Sequence, residues 1–318
     1  MKEIPPQMNY HHFLAFSIFL LAVSSCTNSK TKNSSKITST NNEVHQTAPP
    51  RVNSEQFKKH WYDGKAEITS YNLLQERYGE IRQGTAVTIF VTEDFLPKEH
   101  VKATNFSEKN TSVLKLNQMK NFNTGIYPYA IMTSTFNPVS SKAHAIKVSN
   151  SVQEWCGQVY MQLNNRSEFE VKSHSYFEGD ADQIFNVPKT WLENELWNLI
   201  RISPEELPTG DVSVIPSFEY LRLYHKEVKQ YNAFASIKQG DSITTYTLNY
   251  KDLQRQLIVY FNSVFPYEIE KWEEVNSANQ NDTLNLKTTA VKIKRMRRAY
   301  WNENKNKHSF LQDSLGLK

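Results

Sequence analysis

The stretch that decides the fold reads AVTIFVTEDF and occupies residues 86–95 of the 318-residue chain. Apolar residues recur there at every second position, at Val87, Ile89 and Val91. This period of two is typical of a β-strand with one buried face. Phe90 adds an apolar residue to the opposite side, which indicates a strand that is covered on both faces.

The same period of two continues through much of the chain, in segments rich in Val, Ile, Thr, Tyr and Phe, the residues that strands prefer. Sheets with this many strands curl rather than stay flat. The sequence therefore predicts a mainly β fold: one large curved antiparallel sheet, or an incomplete barrel, with one or two packing helices. The further predicted strands are 66–75, 113–122, 127–136, 145–152, 159–164, 169–177, 218–225, 231–238, 242–250, 256–264 and 284–297.

One segment has a helical pattern instead. Residues 190–200 place leucines at helical spacing, and Thr190 and Glu193 have the spacing of a capping box. We expect a helix whose apolar face packs against the sheet as core or, alternatively, forms a lid over its concave side. In the second interpretation an apolar or amphipathic ligand would contact Trp191, Leu192, Leu196 and Trp197.

The N-terminus has the pattern of an export signal. Residues 13–23 form an apolar run that is too short to span a bilayer, which needs ~20 residues, but has the length of a signal-peptide core. The run ends in Val23-Ser24-Ser25-Cys26, which resembles a bacterial lipobox. We expect residues 1–25 to be a lipoprotein signal peptide and Cys26 to be acylated. The alternative is an ordinary secretory signal with an incidental cysteine.

The expected organisation of the mature chain follows from composition. Residues 26–54 are rich in Ser, Thr and Asn and contain no aromatic residue, which predicts a disordered tether behind the lipidated cysteine. Residues 55–318 are expected to form a single β-rich domain, and a mean hydropathy of −0.61 excludes a protein with many membrane spans. The membrane partner would be reached through acylated Cys26. No acidic cluster follows Cys26, which favours a lipid-anchored protein of the outer membrane that faces the periplasm.

Cys156 is the second of the two cysteines. If Cys26 is acylated, Cys156 has no partner for an intramolecular disulfide. A lone thiol would be a nucleophile if His144 or His174 lay within reach as a base. A buried free cysteine would instead behave as a small hydrophobe, and the sequence leaves both interpretations open.

Two charged clusters are further candidates. Glu178, Asp180 and Asp182 would lie on one face of an extended segment, where they would hold Ca²⁺ or form an acid–base pair, or they would belong to a solvated turn. A basic run near the C-terminus would contact anionic envelope surfaces, block an edge strand, or pair with Glu268, Glu270, Glu273 or Glu274. The run consists of Lys292, Lys294, Arg295, Arg297 and Arg298.

The sequence contains no HExxH, CxxC, P-loop, GxGxxG or GxSxG motif, so neither a zinc site nor another cofactor is expected. A net charge of +4 on an envelope protein gives no reason to expect nucleic acid as a partner. Six aromatic residues would form a sugar- or lipid-contacting platform, or else pair across strands in the core. They are Trp61, Tyr127, Tyr129, Trp155, Tyr300 and Trp301.

Six segments carry a resemblance to a known family: WYDGKAE at 61–67, RYGE at 77–80, GTAVTIFVTEDF at 84–95, FNTGIYPY at 122–129, SVQEWCG at 151–157 and RAYW at 298–301. Over most of residues 60–303 the chain resembles an uncharacterised family of Bacteroidota envelope lipoproteins. Members are sometimes labelled septum formation inhibitor Maf, whereas Maf proteins are α/β nucleotide pyrophosphatases with an N-terminal Ser-Pro-Arg-Arg loop that this chain lacks. The resemblance implies an envelope location and a β-rich domain. In its expected architecture the chain is similar to the LolA/LolB carriers, in which helices close an apolar hollow over a curved sheet.

The sequence is compatible with three alternative functions. The first is an envelope lipoprotein that binds an apolar or amphipathic ligand, or a lipoprotein client, in its curved sheet. The second is a structural or assembly lipoprotein with a filled core that acts through a protein interface. The third is an enzyme that uses Cys156 or the carboxylates of Glu178, Asp180 and Asp182.

Overall fold

The alternating stretch at residues 86–95 lies within a 17-residue strand, Glu80–Leu96, in the computed structural model. The structure describes residues 48–276 and 286–317. The predicted signal peptide 1–25, the acylated Cys26 and the tether up to residue 47 lie outside the described residues. So do the first two residues of the strand predicted at 284–297.

In the described residues, sixteen strands form one large sheet that is open rather than closed into a barrel. Strands make up 54% and helices 14% of the described residues, so the predicted mainly β fold is confirmed. The pairs are antiparallel except for the short parallel pair of β10 and β11. The strands are β1 (Ala66–Arg77), β2 (Glu80–Leu96), β3 (Val101–Lys102), β4 (Thr111–Thr124), β5 (Tyr127–Pro138), β6 (Lys147–Glu154), β7 (Gly157–Asn165), β8 (Phe169–Ser175), β9 (Gln183–Val187), β10 (Trp191–Leu192), β11 (Gly210–Ile215), β12 (Tyr231–Lys238), β13 (Ile243–Tyr250), β14 (Arg255–Asn262), β15 (Ile269–Asn276) and β16 (Lys287–Arg298).

The order of the strands brings the first and the last of them together. From one edge to the other the order is β10, β11, β12, β13, β14, β15, β16, β1, β2, β4, β5, β6, β7, β8 and β9, with β3 paired to β2. β1 and β16 are therefore neighbours at the centre, where Ala66 lies opposite Arg298. In the described part of the chain, the two edges of the sheet are β9 and β10.

Four α-helices accompany the sheet in the described residues: α1 (Glu55–Trp61), α2 (Glu193–Ile202), α3 (Phe218–Leu223) and α4 (Phe310–Ser314). The prediction of a strand at 218–225 is wrong, because α3 occupies that segment. The Ser217 hydroxyl accepts a hydrogen bond from the Tyr220 N–H at 3.3 Å. This N-cap favours a helix where the apolar pattern alone suits a helix or a strand.

The helix predicted at 190–200 is confirmed as α2, and it belongs to the core. All ten of its residues are buried. The Trp197 ring packs edge-on against that of Trp272 on β15, with centroids 5.3 Å apart. On the other side, the Asn198 amide donates a hydrogen bond to the Leu114 carbonyl of β4 at 2.9 Å. Because three strands (β16, β1 and β2) lie between β15 and β4 in the sheet, the sheet curves around α2 and the helix is not a lid.

The start of α2 differs from the prediction. Thr190 and Glu193 form no capping box, because the Thr190 hydroxyl donates to the Ser213 carbonyl at 2.5 Å. Instead the Glu195 carboxylate accepts a hydrogen bond from the Leu192 N–H at 3.0 Å. The helix therefore begins at Glu193, three residues later than predicted.

A buried ion pair fixes the C-terminal half of α2. Arg201 Nη1 lies 2.6 Å from Glu67 Oε1 on β1, and each side chain is only 1% exposed. Arg295 on β16 lies 3.0 Å from the same carboxylate, and the Arg201 guanidinium covers the Phe90 ring, 4.6 Å from its centroid. Burial raises the pKa of Glu67. The charge of Arg201, hydrogen bonds from His60 and Arg201 and the charge of Arg295 together outweigh this effect, so that the pKa lies well below its ordinary value.

A second buried network holds the N-terminal half of α2. Arg255 Nη2 donates to Glu193 Oε1 at 2.7 Å and lies 3.4 Å from Glu274. Lys120 Nζ lies 3.0 Å from Glu274 and 2.8 Å from Glu219. Burial raises the pKa of Glu219. The network therefore joins the carboxylates of Glu193, Glu219 and Glu274 to the cations of Arg255 and Lys120.

We expect Arg201→Met to lower the free energy of unfolding by about 3–5 kcal/mol, because it removes the closest partner of the buried Glu67 carboxylate. Urea unfolding followed by tryptophan fluorescence measures the change. Lys58→Met is the control, since it removes the exposed pair of Lys58 and Glu55 at 2.7 Å and should cost less than about 1 kcal/mol. Equal losses in the two variants would show that Arg201 does not hold α2 in place.

Candidate binding surface

Cys156 lies exposed in the turn between β6 and β7. Its backbone N–H donates to the Glu154 carboxylate at 2.7 Å. Glu154 also raises the pKa of the Cys156 thiol, first through a side-chain hydrogen bond and then through its charge. The thiolate is the reactive form of cysteine, so this environment works against a nucleophilic role. The interpretation of Cys156 as a buried hydrophobe is wrong as well.

The two histidines considered as bases for Cys156 have other partners. His144 Nδ1 lies 2.7 Å from Glu195 Oε1. Burial lowers the pKa of His144, but the hydrogen bond to Glu195 and the charge of Glu195 together outweigh it, so that the pKa lies above its ordinary value. His174 Nδ1 lies 3.4 Å from Asp182 Oδ2. Within the described residues neither imidazole is hydrogen-bonded to Cys156, so the structure does not assemble the expected thiol–imidazole pair.

The three clustered carboxylates lie in the turn between β8 and β9 rather than on an extended segment. Asp180 lies 3.6 Å from His225 Nδ1, Asp182 faces His174, and Glu178 is exposed. Across residues 48–276 and 286–317, no group of three or more His, Cys, Asp or Glu side chains is placed to hold a metal ion. The arrangement is that of the solvated turn.

The basic run lies on β16, which is a central strand, so the edge-strand interpretation is wrong. Four of its five members form ion pairs, and the expected pairing with Glu268 and Glu270 is confirmed. Lys294 has no ion pair among the described residues. Little unpaired positive charge is therefore left for an anionic surface. The pairs are Lys292 with Glu268 and Glu270, Arg295 with Glu67 and Glu268, Arg297 with Asp63, and Arg298 with Glu303.

The helix residues proposed to contact a ligand face the core. Leu192, Leu196 and Trp197 are buried, and Trp191 is half-buried against the same core. The void beside Trp197 has a volume of about 20 Å³, which is enough for about one water molecule. An acyl chain does not fit into that void.

Four neighbouring hairpins end at one rim of the sheet, because antiparallel strands alternate in direction. Their turns join β1 to β2, β4 to β5, β6 to β7, and β8 to β9. Each turn region carries a large apolar residue that is more than half exposed: Tyr78, Ile126, Trp155 and Tyr176. Exposed apolar residues in adjoining turns mark an interaction site more often than scattered ones do.

The aromatic side chains at this rim contact one another. The hydroxyls of Tyr78 and Tyr129 are hydrogen-bonded at 2.9 Å. The ring centroid of Tyr127 lies 6.0 Å from that of Tyr129 and 6.5 Å from that of Trp155. We call the surface formed by Tyr78, Tyr127, Trp155, Tyr176 and Phe177 the aromatic rim; Tyr129 lies buried beneath Tyr78 and Tyr127.

Gly157 allows Tyr176 to join the aromatic rim. A Cβ atom on Gly157 would lie only 2.7 Å from the Tyr176 ring, so a glycine is needed for the ring to rest on the β6–β7 turn. The Tyr176 ring in turn contacts that of Phe177, with centroids 5.4 Å apart. The rim therefore continues from one hairpin to the next.

The platform predicted from sequence is found only in part. The structure brings Tyr127, Tyr129 and Trp155 together, whereas Trp61 is fully buried and Trp301 follows β16 at the opposite rim. Sequence reasoning missed Tyr78, Tyr176 and Phe177. The signal for Tyr78 and Phe177 is an aromatic residue one or two positions before a turn glycine, as in Tyr78-Gly79 and Phe177-Glu178-Gly179.

The described chain begins at the opposite rim. Pro50 bridges Ser141 in the connection between β5 and β6, and Arg51 Nη2 lies 2.8 Å from Glu206 Oε2. β4 has 14 residues, which correspond to about 45 Å of strand. The aromatic rim thus lies at the far end of the sheet from the junction with the predicted tether.

The chain matches no protein-family model, no curated protein and no solved structure. The resemblance to Bacteroidota envelope lipoproteins therefore stays a prediction. Among the helices of residues 48–276 and 286–317, none has the length and apolar character needed to cross a membrane.

We expect Glu154→Gln to speed the alkylation of Cys156 by iodoacetamide a few-fold at pH 7.5, because Glu154 raises the pKa of the thiol and its removal increases the thiolate fraction. The alkylation rate is measured by mass spectrometry in a Cys26→Ala background, so that the signal comes from the thiol of Cys156. Glu168→Gln, at an exposed position of the opposite rim, should leave the rate unchanged. An unchanged rate in Glu154→Gln would show that Glu154 does not control the thiol.

Proposed function

We propose that this protein is a lipid-anchored protein of the bacterial envelope that binds a partner protein, such as a lipoprotein client, through the aromatic rim. The observation that carries the proposal is the rim itself. It presents the exposed aromatic residues Tyr78, Trp155 and Tyr176 on the hairpin turns of one sheet. Tyr and Trp dominate the energetics of many protein interfaces, because they combine a large apolar area with a polar group.

The filled interior supports binding at the surface rather than inside the sheet. α2 occupies the concave face, and the void beside Trp197 is far smaller than a lipid. A partner protein needs exposed area and no enclosed space. Of the two binding functions expected from the sequence, a protein interface is the one that this geometry favours.

The aromatic rim is distant from the point where the described chain begins. That point lies at the opposite rim, where Pro50 bridges Ser141. Acylation of Cys26 would tether the domain to the membrane through the predicted tether. The proposed location is the outer membrane, as the sequence and the resemblance indicate.

Anchoring is tested by fractionation of cells that produce the protein. Cys26→Ala should move the protein from the membrane fraction to the soluble fraction, because it removes the acceptor of the acyl chains. Cys156→Ala is the matched control and should leave the protein in the membrane fraction. Membrane retention of Cys26→Ala would contradict lipid anchoring at this residue.

Partner binding is tested by photocrosslinking in intact cells. p-Benzoylphenylalanine at position 155 or 176 should give a discrete protein adduct after irradiation, because both positions are exposed in the aromatic rim. The same residue at position 106 or 301, exposed at the opposite rim, is the control and should give no such adduct.

The specificity of the adduct is tested by a substitution within the aromatic rim. Trp155→Ser should weaken the adduct formed from position 176 about tenfold, which is the typical effect of losing one strong interface contact. Adducts of equal strength from both rims, or adducts with lipid alone, would overturn the proposed function.

A further inference from the structure

A cleft of about 930 Å³ opens beside the aromatic rim. One wall is the edge strand β9, and the other is α3 with the segment 224–229 that follows it. Val159, Met161 and Leu221 supply apolar lining. This volume lies within the range of about 300–1,000 Å³ that is typical of binding pockets.

The wall formed by β9 is a free strand edge. In the described residues, β9 pairs with β8 alone. No backbone hydrogen bond between described residues ends on its outer side. Ile184 on this strand lines the cleft and is 72% exposed. A free edge offers unpaired N–H and C=O groups to another extended chain, which is the basis of recognition by strand addition.

The opposite wall carries a buried arginine, Arg222, on which the charge of Asp180 acts only from beyond ion-pair distance. Arg222 is only 8% exposed and lines the cleft. Among the described residues no carboxylate lies within ion-pair distance of it, and its Nε has no hydrogen-bond partner. Its closest polar side-chain contact is His225 Nε2, 3.5 Å from Nη1. The buried arginines of α2 and β14 each have a carboxylate, at Glu67 and at Glu193.

An unpaired buried guanidinium is costly, and a carboxylate is the partner whose geometry suits it best. The surrounding charges leave room for such a group. Of the carboxylates that line the cleft, Asp180 faces His225 at 3.6 Å, Asp182 faces His174 at 3.4 Å and Glu227 pairs with Lys229 at 2.5 Å. Lys226 has no ion pair within the described residues. The cleft therefore has an excess of positive charge on the wall opposite β9.

We propose that this cleft binds an extended acidic segment of the partner protein, which adds a strand to the free edge of β9 and places a carboxylate side chain on Arg222. The inference deepens the proposed function and rests on it, since it names the chemistry of the segment that the partner contributes. The two surfaces are continuous, because the Phe177 ring belongs to the aromatic rim and lies 4.3 Å from Arg222 Cζ. A partner seated on the rim reaches the cleft across that ring.

The test uses a displayed library of random heptapeptides, selected on the full chain purified in detergent. We expect the selected peptides to share Asp or Glu at one position, flanked by β-branched residues that favour extended chains. For one selected peptide, fluorescence anisotropy then gives the dissociation constant. Arg222→Gln, or replacement of the peptide's acidic residue by its amide, should raise this constant at least about tenfold, as expected for the loss of a charge-assisted hydrogen bond.

A second variant guards against misfolding of Arg222→Gln. Ile184→Glu changes an exposed side chain of β9 and should weaken binding of the acidic peptide by charge repulsion. Val52→Glu changes a side chain that is exposed outside the cleft and should leave binding unchanged. A selection without acidic enrichment, or a peptide that neither Arg222→Gln nor Ile184→Glu weakens, would overturn the inference. Binding of phosphatidylglycerol vesicles is measured with the same variants. If Arg222→Gln and Ile184→Glu abolish vesicle binding but leave peptide binding unchanged, the cleft is a lipid headgroup site and the inference is wrong. Photocrosslinking tests the aromatic rim separately. A negative result for the cleft therefore does not contradict partner binding at the rim.

Discussion

Two buried ion pairs at opposite ends of α2 hold the fold in one arrangement. Glu193 binds Arg255 on β14, and Arg201 binds Glu67 on β1. A buried charge without a partner costs several kcal/mol, so the helix has one depth and one rotation at which both carboxylates are satisfied. A shift by one helical turn, about 5.4 Å, would separate both pairs at once. Apolar burial supplies most of the driving force for folding, whereas the ion pairs select the position.

The helix in the concave face decides where such a protein can bind. A curved sheet either encloses a ligand or fills its interior, and here the interior is filled by α2 and its aromatic contacts. Binding is then left to the surfaces where strands end or where pairing stops. Strands end at the aromatic rim, and strand pairing stops at the edge of β9. The ring of Phe177 belongs to the aromatic rim and borders the cleft beside β9.

Local periodicity was enough to predict most of the sheet, because the side-chain period of a strand is present in any short window of sequence. The same locality explains the failures. Residues 218–225 alternate well enough for a strand, but Ser217 caps a helix there. The pairing of the basic run of β16 with Glu268 and Glu270 was predictable, but that of Arg295 with Glu67 was not, because these two residues are 228 positions apart in the chain. In the same way, Trp155 and Tyr176 become neighbours only when β6, β7 and β8 are paired.

The pairing of β1 with β16 has a consequence for the order in which the protein is made. The two strands that meet at the centre of the sheet are the first and the last long strands to be synthesised. Each half can form its own hairpins early, but β1 and β16 can pair only after residue 298 has been synthesised. The complete sheet therefore forms only late in translation, and β1 has a free edge towards β16 until then.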